Sequence, residues 1–252
     1  MSIEILAADG PDAWLVRIDG RDQSYVDLAD PTRLAFDYVR RMGDVIDAHA
    51  QPGAPLRVVH VGGAGLTLPR YVAATRPRSS QVVLEPFEAL TDQVRRELPL
   101  PRHSGIRVRP VDGRSGLAAL RDGEADLIVI DAYVDARVPD DLVTVEALAD
   151  TARVLARSGR CLVNLSDRAP FAHTRDVVAG ARNVFEHVAI GAEPATLRAR
   201  RPGNLLLVAG HDSGPADDLA RRASTSASPY RVLSGTALTD SFGGGHLLHD
   251  DR

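Results

Sequence analysis

With 252 residues, 44% of them hydrophobic and 25% charged, the sequence has the balance of an ordinary globular protein able to bury one sizeable core. A net charge of -4 argues against a protein that grips phosphate backbones, so no nucleic-acid partner is expected. The lone cysteine, Cys161, excludes an internal disulfide and a thiolate metal site, and no apolar run approaches the ~20 residues of a membrane span. No metal and no membrane association are expected.

The first twenty residues carry Glu4, Asp9 and Asp12 where a secretory leader would need a basic start and an apolar run, so a cytoplasmic protein is expected. Ala13 to Ile18 and Gln23 to Val26 flank Asp19-Gly20, a hairpin signal. Asp30 to His49 reads as a long helix with Asp30 as N-cap and Pro31 in its first position. From Leu56 onward, short apolar runs alternate with amphipathic segments, which predicts a parallel sheet covered by helices.

The strands are read at Leu56–Val61, Gln81–Glu85, Ile106–Val111, Ala125–Asp131 and Arg160–Leu165. Helices are read at Thr67–Thr75, Pro86–Glu97, Ser115–Leu120, Asp141–Ala156 and Phe171–Asn183, with Arg157-Ser158-Gly159 as a helix stop. Two later strands, Phe185–Ile190 and Asn204–Ala209, lack a convincing helix between them and are expected to pair antiparallel. Residues 1–29 thus read as a hairpin extension, 30–210 as the main domain and 211–252 as a partly ordered appendage with flexible glycines at 243 to 245.

Ligands of open α/β sheets bind beyond the carboxyl ends of the strands, so the residues ending each strand carry the functional reading. After the first parallel strand come Gly62, Gly63, Ala64 and Gly65, where missing side chains let backbone approach a ligand or a helix begin close to the sheet. About twenty residues further on, Glu85 either accepts ribose hydroxyls or bonds the neighbouring turn. Asp112-Gly113 either meets an adenine amine or forms an ordinary turn. Asp131 ends the most apolar strand, and Tyr133 beyond it either covers a ligand or is a surface aromatic. His60, inside a strand, reads as a core histidine, Cys161 as a small buried hydrophobe, and Arg70 as a partner for an acidic strand end or an exposed helix cation.

The order of glycine turn, Glu85, Asp112 and Asp131 resembles the polyamine aminopropyltransferase (spermidine synthase) family, within the Rossmann-like S-adenosylmethionine-dependent methyltransferase superfamily. The resemblance runs from about Trp14 to Gly210 and includes Gly20-Arg21-Asp22-Gln23-Ser24, Gly62-Gly63 followed by Arg70, the strand ending in Asp131, Val138-Pro139 and Thr144-Val145-Glu146. It implies an α/β Rossmann-like methyltransferase fold: a mostly parallel seven-stranded sheet with a C-terminal antiparallel strand pair, plus a small N-terminal β-hairpin. It further implies S-adenosylmethionine or decarboxylated S-adenosylmethionine as cofactor, methylthioadenosine as product, a small-molecule amine acceptor and a homodimer.

By the same resemblance, Gly62, Gly63 and Gly65 cradle the cofactor, Gln23 lies near its tail, Glu85 holds the ribose, Asp112 and Gly113 meet the adenine, and Asp131 stands at the reaction centre. Where the family's turn has an aspartate this chain has Gly65, and the family's amine-activating second aspartate falls on Val134, leaving Asp135 to substitute if the loop shifts by one residue. The family's Tyr-His-Glu stretch is replaced by Leu34-Ala35-Phe36-Asp37-Tyr38. Two other readings stay open: a binding protein that kept the nucleoside pocket without catalysis, and an NAD(P)-dependent oxidoreductase, although Leu68 occupies the third-glycine position of a dinucleotide fingerprint.

Overall fold

The chain opens with a strand that the hairpin reading lacks. In the computed structural model, which describes residues 2–134, 137–212, 214–226 and 228–250, β1 (Ile3–Ala7) pairs antiparallel with β2 (Ala13–Ile18), which pairs with β3 (Arg21–Asp27). The N-terminal element is therefore a three-stranded sheet rather than a hairpin. Ile3 and Ile5 turn one face of β1 towards the core formed by Val16, Val26, Leu66, Val83 and Leu90, while Glu4 stays exposed. A bulge at Val16/Arg17 leaves Gln23 without a cross-strand partner.

Helix α1 spans Asp37–His49 and starts seven residues later than expected. The Asp30 carboxylate accepts from the Thr32 amide at 3.0 Å, and the Arg33 amide closes a turn on the Asp30 carbonyl. That local bonding gives the Asp30-Pro31 stretch an alternative to helix. The chain continues through β4 (Arg57–Val61), α2 (Thr67–Thr75), β5 (Ser80–Leu84), α3 (Glu88–Glu97) and β6 (Ile106–Arg109). β4, β5 and β6 are parallel neighbours in that order. β6 stops before Pro110, which has no N–H for a ladder. Helix α3 excludes Pro86 because the Phe87 amide donates to the Glu85 side chain. These elements make up one compact unit, Met1–Gly113.

The second unit, Arg114–Arg252, follows α4 (Gly113–Ala118) with β7 (Ala125–Ile130), a 3-10 turn at Asp140–Leu142, α5 (Val145–Val154) and β8 (Leu155–Asp167). One helix over Asp141–Ala156 was expected. Instead Thr144 caps α5, its hydroxyl accepting from the Ala147 amide, and the chain passes straight into β8. Arg157-Ser158-Gly159 is no helix stop. It lies where the pairing of β7 with β8 jumps from Ala125 opposite Leu155 to Leu127 opposite Arg160, and a Cβ on Gly159 would come 2.8 Å from the Ala156 carbonyl.

Then come α6 (Ala172–Val184), β9 (His187–Ala192), the short α7 (Pro194–Leu197), β10 (Gly203–Gly210), α8 (Gly214–Ala223), β11 (Arg231–Ser234) and α9 (Gly235–Phe242). β7 and β8 are parallel; β10 pairs antiparallel with β9, as the helix-poor connection implied, and antiparallel with β8 as well. β11 adds a further antiparallel pairing to β9, so the described strands outside the N-terminal sheet number eight rather than seven. Beyond α9 the chain is tied down: the Arg175 guanidinium donates to the Gly243 carbonyl, the His246 amide to Asp176, and Arg114 and Thr144 to the Asp250 carboxylate. The Gly243 carbonyl and the His246 amide thus both meet residues of α6. No described helix is long and apolar enough to cross a membrane.

Candidate functional site

In the first unit the glycine turn grows out of a buried strand. The Gly62 amide donates to the Leu84 carbonyl at 3.0 Å, continuing the β4–β5 ladder, and its φ of +89° is a conformation that glycine takes without penalty. Gly63 next donates its N–H to the Glu85 carboxylate at 3.0 Å, and a Cβ there would lie 3.1 Å from Val83. The other Glu85 oxygen accepts from the Phe87 amide at 3.0 Å. Glu85 is buried, and each of its oxygens keeps a lone pair beyond these bonds, the acceptor capacity a ribose diol requires. Ala64 and Leu66 both have positive φ, so the turn holds strained backbone, as functional loops often do.

Gly65 is placed otherwise. Its N–H donates to the Ser24 hydroxyl, its carbonyl accepts from Arg70 Nε, and a Cβ on it would meet Ser24 and Val26 at 2.8 Å. It is the seat of the N-terminal sheet. Arg70 completes that seat by donating also to the Leu98 and Pro99 carbonyls at the end of α3, where the helix dipole is negative. The partners of this buried guanidinium are carbonyls rather than an acidic strand end, and burial lowers its pKa to about 10. Gln23 is half-buried in the bulge next to Ser24. Asp112 is exposed and directly precedes Gly113, the first residue of α4. His60 is a core residue, its ring held 3.0 Å from Gln81 and driven down to about 4 by burial, hence neutral.

The second unit builds a different centre. Leu127, Ile128, Val129 and Ile130 are almost wholly buried, each worth about 1.5–3 kcal/mol of hydrophobic stabilisation, and they fix the position at which β7 ends. Asp131 is the next residue. It is half-buried, and its Oδ1 accepts from the Asn164 side-chain amide at 2.9 Å. Burial raises its pKa to about 6, with the Asn164 hydrogen bond pulling the other way. The group is therefore mostly ionised at neutral pH yet takes up a proton readily, a property useful for holding an ammonium group or receiving its proton.

Tyr133 donates its hydroxyl to the Asn164 carbonyl at 2.8 Å, which fastens the loop after β7 to β8. Val134 is exposed and bridges to Arg137, while Asp135 lies outside the described residues. Asn164 in turn accepts from the Asn204 amide at 3.0 Å. Cys161 is buried with its thiol pushed up to about 12.

The structure therefore joins Gly63 to Glu85 and Tyr133 to Asp131 by way of Asn164, but ties Gly65 to Ser24. Ser24, Asn164 and Asn204 were not singled out from the sequence. Asn164 carried a signal: an amide inside the buried run Cys161-Leu162-Val163-Asn164-Leu165 must find partners for both its ends. No protein-family model matches the sequence, and neither does any curated protein.

Solved structures do match. A probable spermidine synthase from Corynebacterium glutamicum ATCC 13032 is 29% identical with a TM-score of 0.89, covering 99% of this chain and 93% of that one. Human methyltransferase-like protein 13, in complex with SAH, is 20% identical with a TM-score of 0.60, over 74% of this chain and 92% of its own. A spermidine synthase bound to the transition-state analogue AdoDATO is 13% identical with a TM-score of 0.60, over 95% and 79%. At these identities the last two share the fold alone.

Proposed function

We propose, from the likeness of this chain to a probable spermidine synthase and the fold it shares with a methyltransferase-like protein, a transferase that binds S-adenosylmethionine or its decarboxylated form and alkylates a small-molecule amine. The observation that carries the reading is Asp131: a half-buried carboxylate at the end of β7, held by an amide donor and balanced near neutrality. Glu85, with a lone pair left on each oxygen, takes the ribose hydroxyls. At Gly63 a Cβ would crowd Val83 at 3.1 Å, so only a glycine leaves the turn this close to β5 with its N–H on Glu85. Asp112 with Gly113 takes the adenine edge, and Gln23 the tail.

The sulfonium of the bound cofactor supplies an electrophilic carbon. Asp131 orients the acceptor amine towards that carbon and draws off its proton. With such a sulfonium compound held there, transfer would form a C–N bond as the C–S bond breaks, the electron pair remaining on sulfur as a neutral thioether. Tyr133 holds the loop that borders this carboxylate. Aminopropyl transfer leaves methylthioadenosine, and methyl transfer leaves S-adenosylhomocysteine.

Titration calorimetry with S-adenosylmethionine, decarboxylated S-adenosylmethionine, methylthioadenosine and NAD tests the first half of this reading. Binding of one or more adenosyl sulfur compounds, and none of NAD, is expected; no binding of any of them ends the reading. Turnover with putrescine or spermidine tests the second half. An exposed valine at 134, where the family has its amine-activating aspartate, favours one other reading, a nucleoside-binding protein without catalysis. Tight methylthioadenosine binding with no product from either amine selects it.

A further inference from the structure

Three polar groups line up across the strands of the second unit. Ile130 stands opposite Val163, so Asn164 lies beside Asp131. Leu206 pairs with Asn164, which puts Asn204, two residues earlier on β10, on the same face and diagonal to it. The contacts follow the register: Asn204 Nδ2 donates to Asn164 Oδ1 at 3.0 Å, and Asn164 Nδ2 donates to Asp131 Oδ1 at 2.9 Å.

We infer that Asn204 and Asn164 are positioning residues for Asp131, forming a one-way amide relay that keeps an N–H aimed at the carboxylate receiving the acceptor's proton. The inference rests on the transferase reading for its purpose, but not for its geometry.

An amide has a donor end and an acceptor end of nearly the same shape, so packing alone does not choose between its two orientations. Here the partners choose. Turning Asn164 over would set its oxygen against the Asp131 oxygen and its NH2 against the NH2 of Asn204. Both contacts would be repulsive, at a residue with no exposure to water. The ionised Asp131 carboxylate, which only accepts, sets the Asn164 amide direction from one side, and Asn204, donating at the less buried end, supports it from the other. The Asn164 main-chain carbonyl takes the Tyr133 hydroxyl, so the same residue holds both the carboxylate and the loop that follows it.

Asn204 is half-buried, which makes it the safer position to change. Asn204→Asp is nearly isosteric but offers only acceptors, so the Asn164 amide turns over and its oxygen faces Asp131. Asn204→Leu removes the donor without adding charge and so separates orientation from simple repulsion.

The Asp131 carboxyl is followed by carbon-13 NMR titration in the ligand-free protein, alongside kcat and KM with decarboxylated S-adenosylmethionine and putrescine. In Asn204→Asp the Asp131 midpoint rises by about one unit, kcat falls about tenfold with its acid limb moved to higher pH, and cofactor KM stays within about twofold. Asn204→Leu shifts the midpoint in the same direction by less. An Asp131 midpoint unmoved in both variants overturns the relay, as does a loss confined to KM. A wild-type protein without turnover, whose Asp131 midpoint still follows Asn204, upholds the relay and overturns only the transferase reading.

Discussion

Asp131→Asn retains the oxygen that accepts from Asn164 and removes the charge, so it isolates what ionisation at this position costs the fold. Burial raises the group from 3.8 to about 6. Two units correspond to about 3 kcal/mol at most, and partial exposure of Asp131 reduces this to about 1–2 kcal/mol. The sign follows from proton binding. The folded protein holds this proton more tightly than the unfolded chain, so the stabilisation is complete below about pH 4 and is lost as pH rises through about 6.

Urea unfolding of both proteins from pH 4 to pH 8 reads the difference directly. The variant should match wild type at the acid end and exceed it by about 1–2 kcal/mol at pH 8, or about 3–6 °C in melting temperature. Amine-transfer activity should fall about 100-fold or more in the same variant. A stability difference that does not change with pH, or a variant less stable at pH 8, would show that the carboxylate is not desolvated as described. Retention of full turnover would remove Asp131 from the chemistry.

Two further substitutions separate the parts of the first unit. Gly65→Ala forces a methyl to within 2.8 Å of Ser24 and Val26 and should destabilise the protein by about 1–3 kcal/mol, read from the denaturant midpoint. Glu85→Gln turns an NH2 towards one of the two backbone donors now satisfied by the carboxylate, at Gly63 or Phe87. It should weaken methylthioadenosine binding about tenfold or more in calorimetry, and unchanged affinity would exclude Glu85 from ribose recognition.

The parallel strands and the bounds of α2 were legible because apolar runs of period-free hydrophobicity and a glycine turn leave few alternatives. Strand-end logic makes Glu85 and Asp131 candidates, and each directly follows the last residue of its strand. What escaped were effects of side-chain bonding on the backbone. Asp30 looked like a helix cap but closes its own turn on Thr32, and Glu85 captures the Phe87 amide, so α3 starts after Pro86. Gly159 read as a helix stop because a glycine after a basic residue fits one. A bulge in β8 needs glycine just as much. Asn164 and Asn204 are forty residues apart in sequence, and only the antiparallel return of β10 brings them together.

The crowding at Gly65 also bears on how this chain can change by mutation. An aspartate there, the residue usual in the family it resembles, needs room that the Ser24, Val26 and Val16 side chains fill. No single codon change leads there without first opening a clash. The N-terminal sheet and the glycine turn are bound to alter in concert, so substitutions at 24 and 26 would have to precede or accompany any at 65. A library that varies position 65 alone should return glycine, whatever ligand is used for selection.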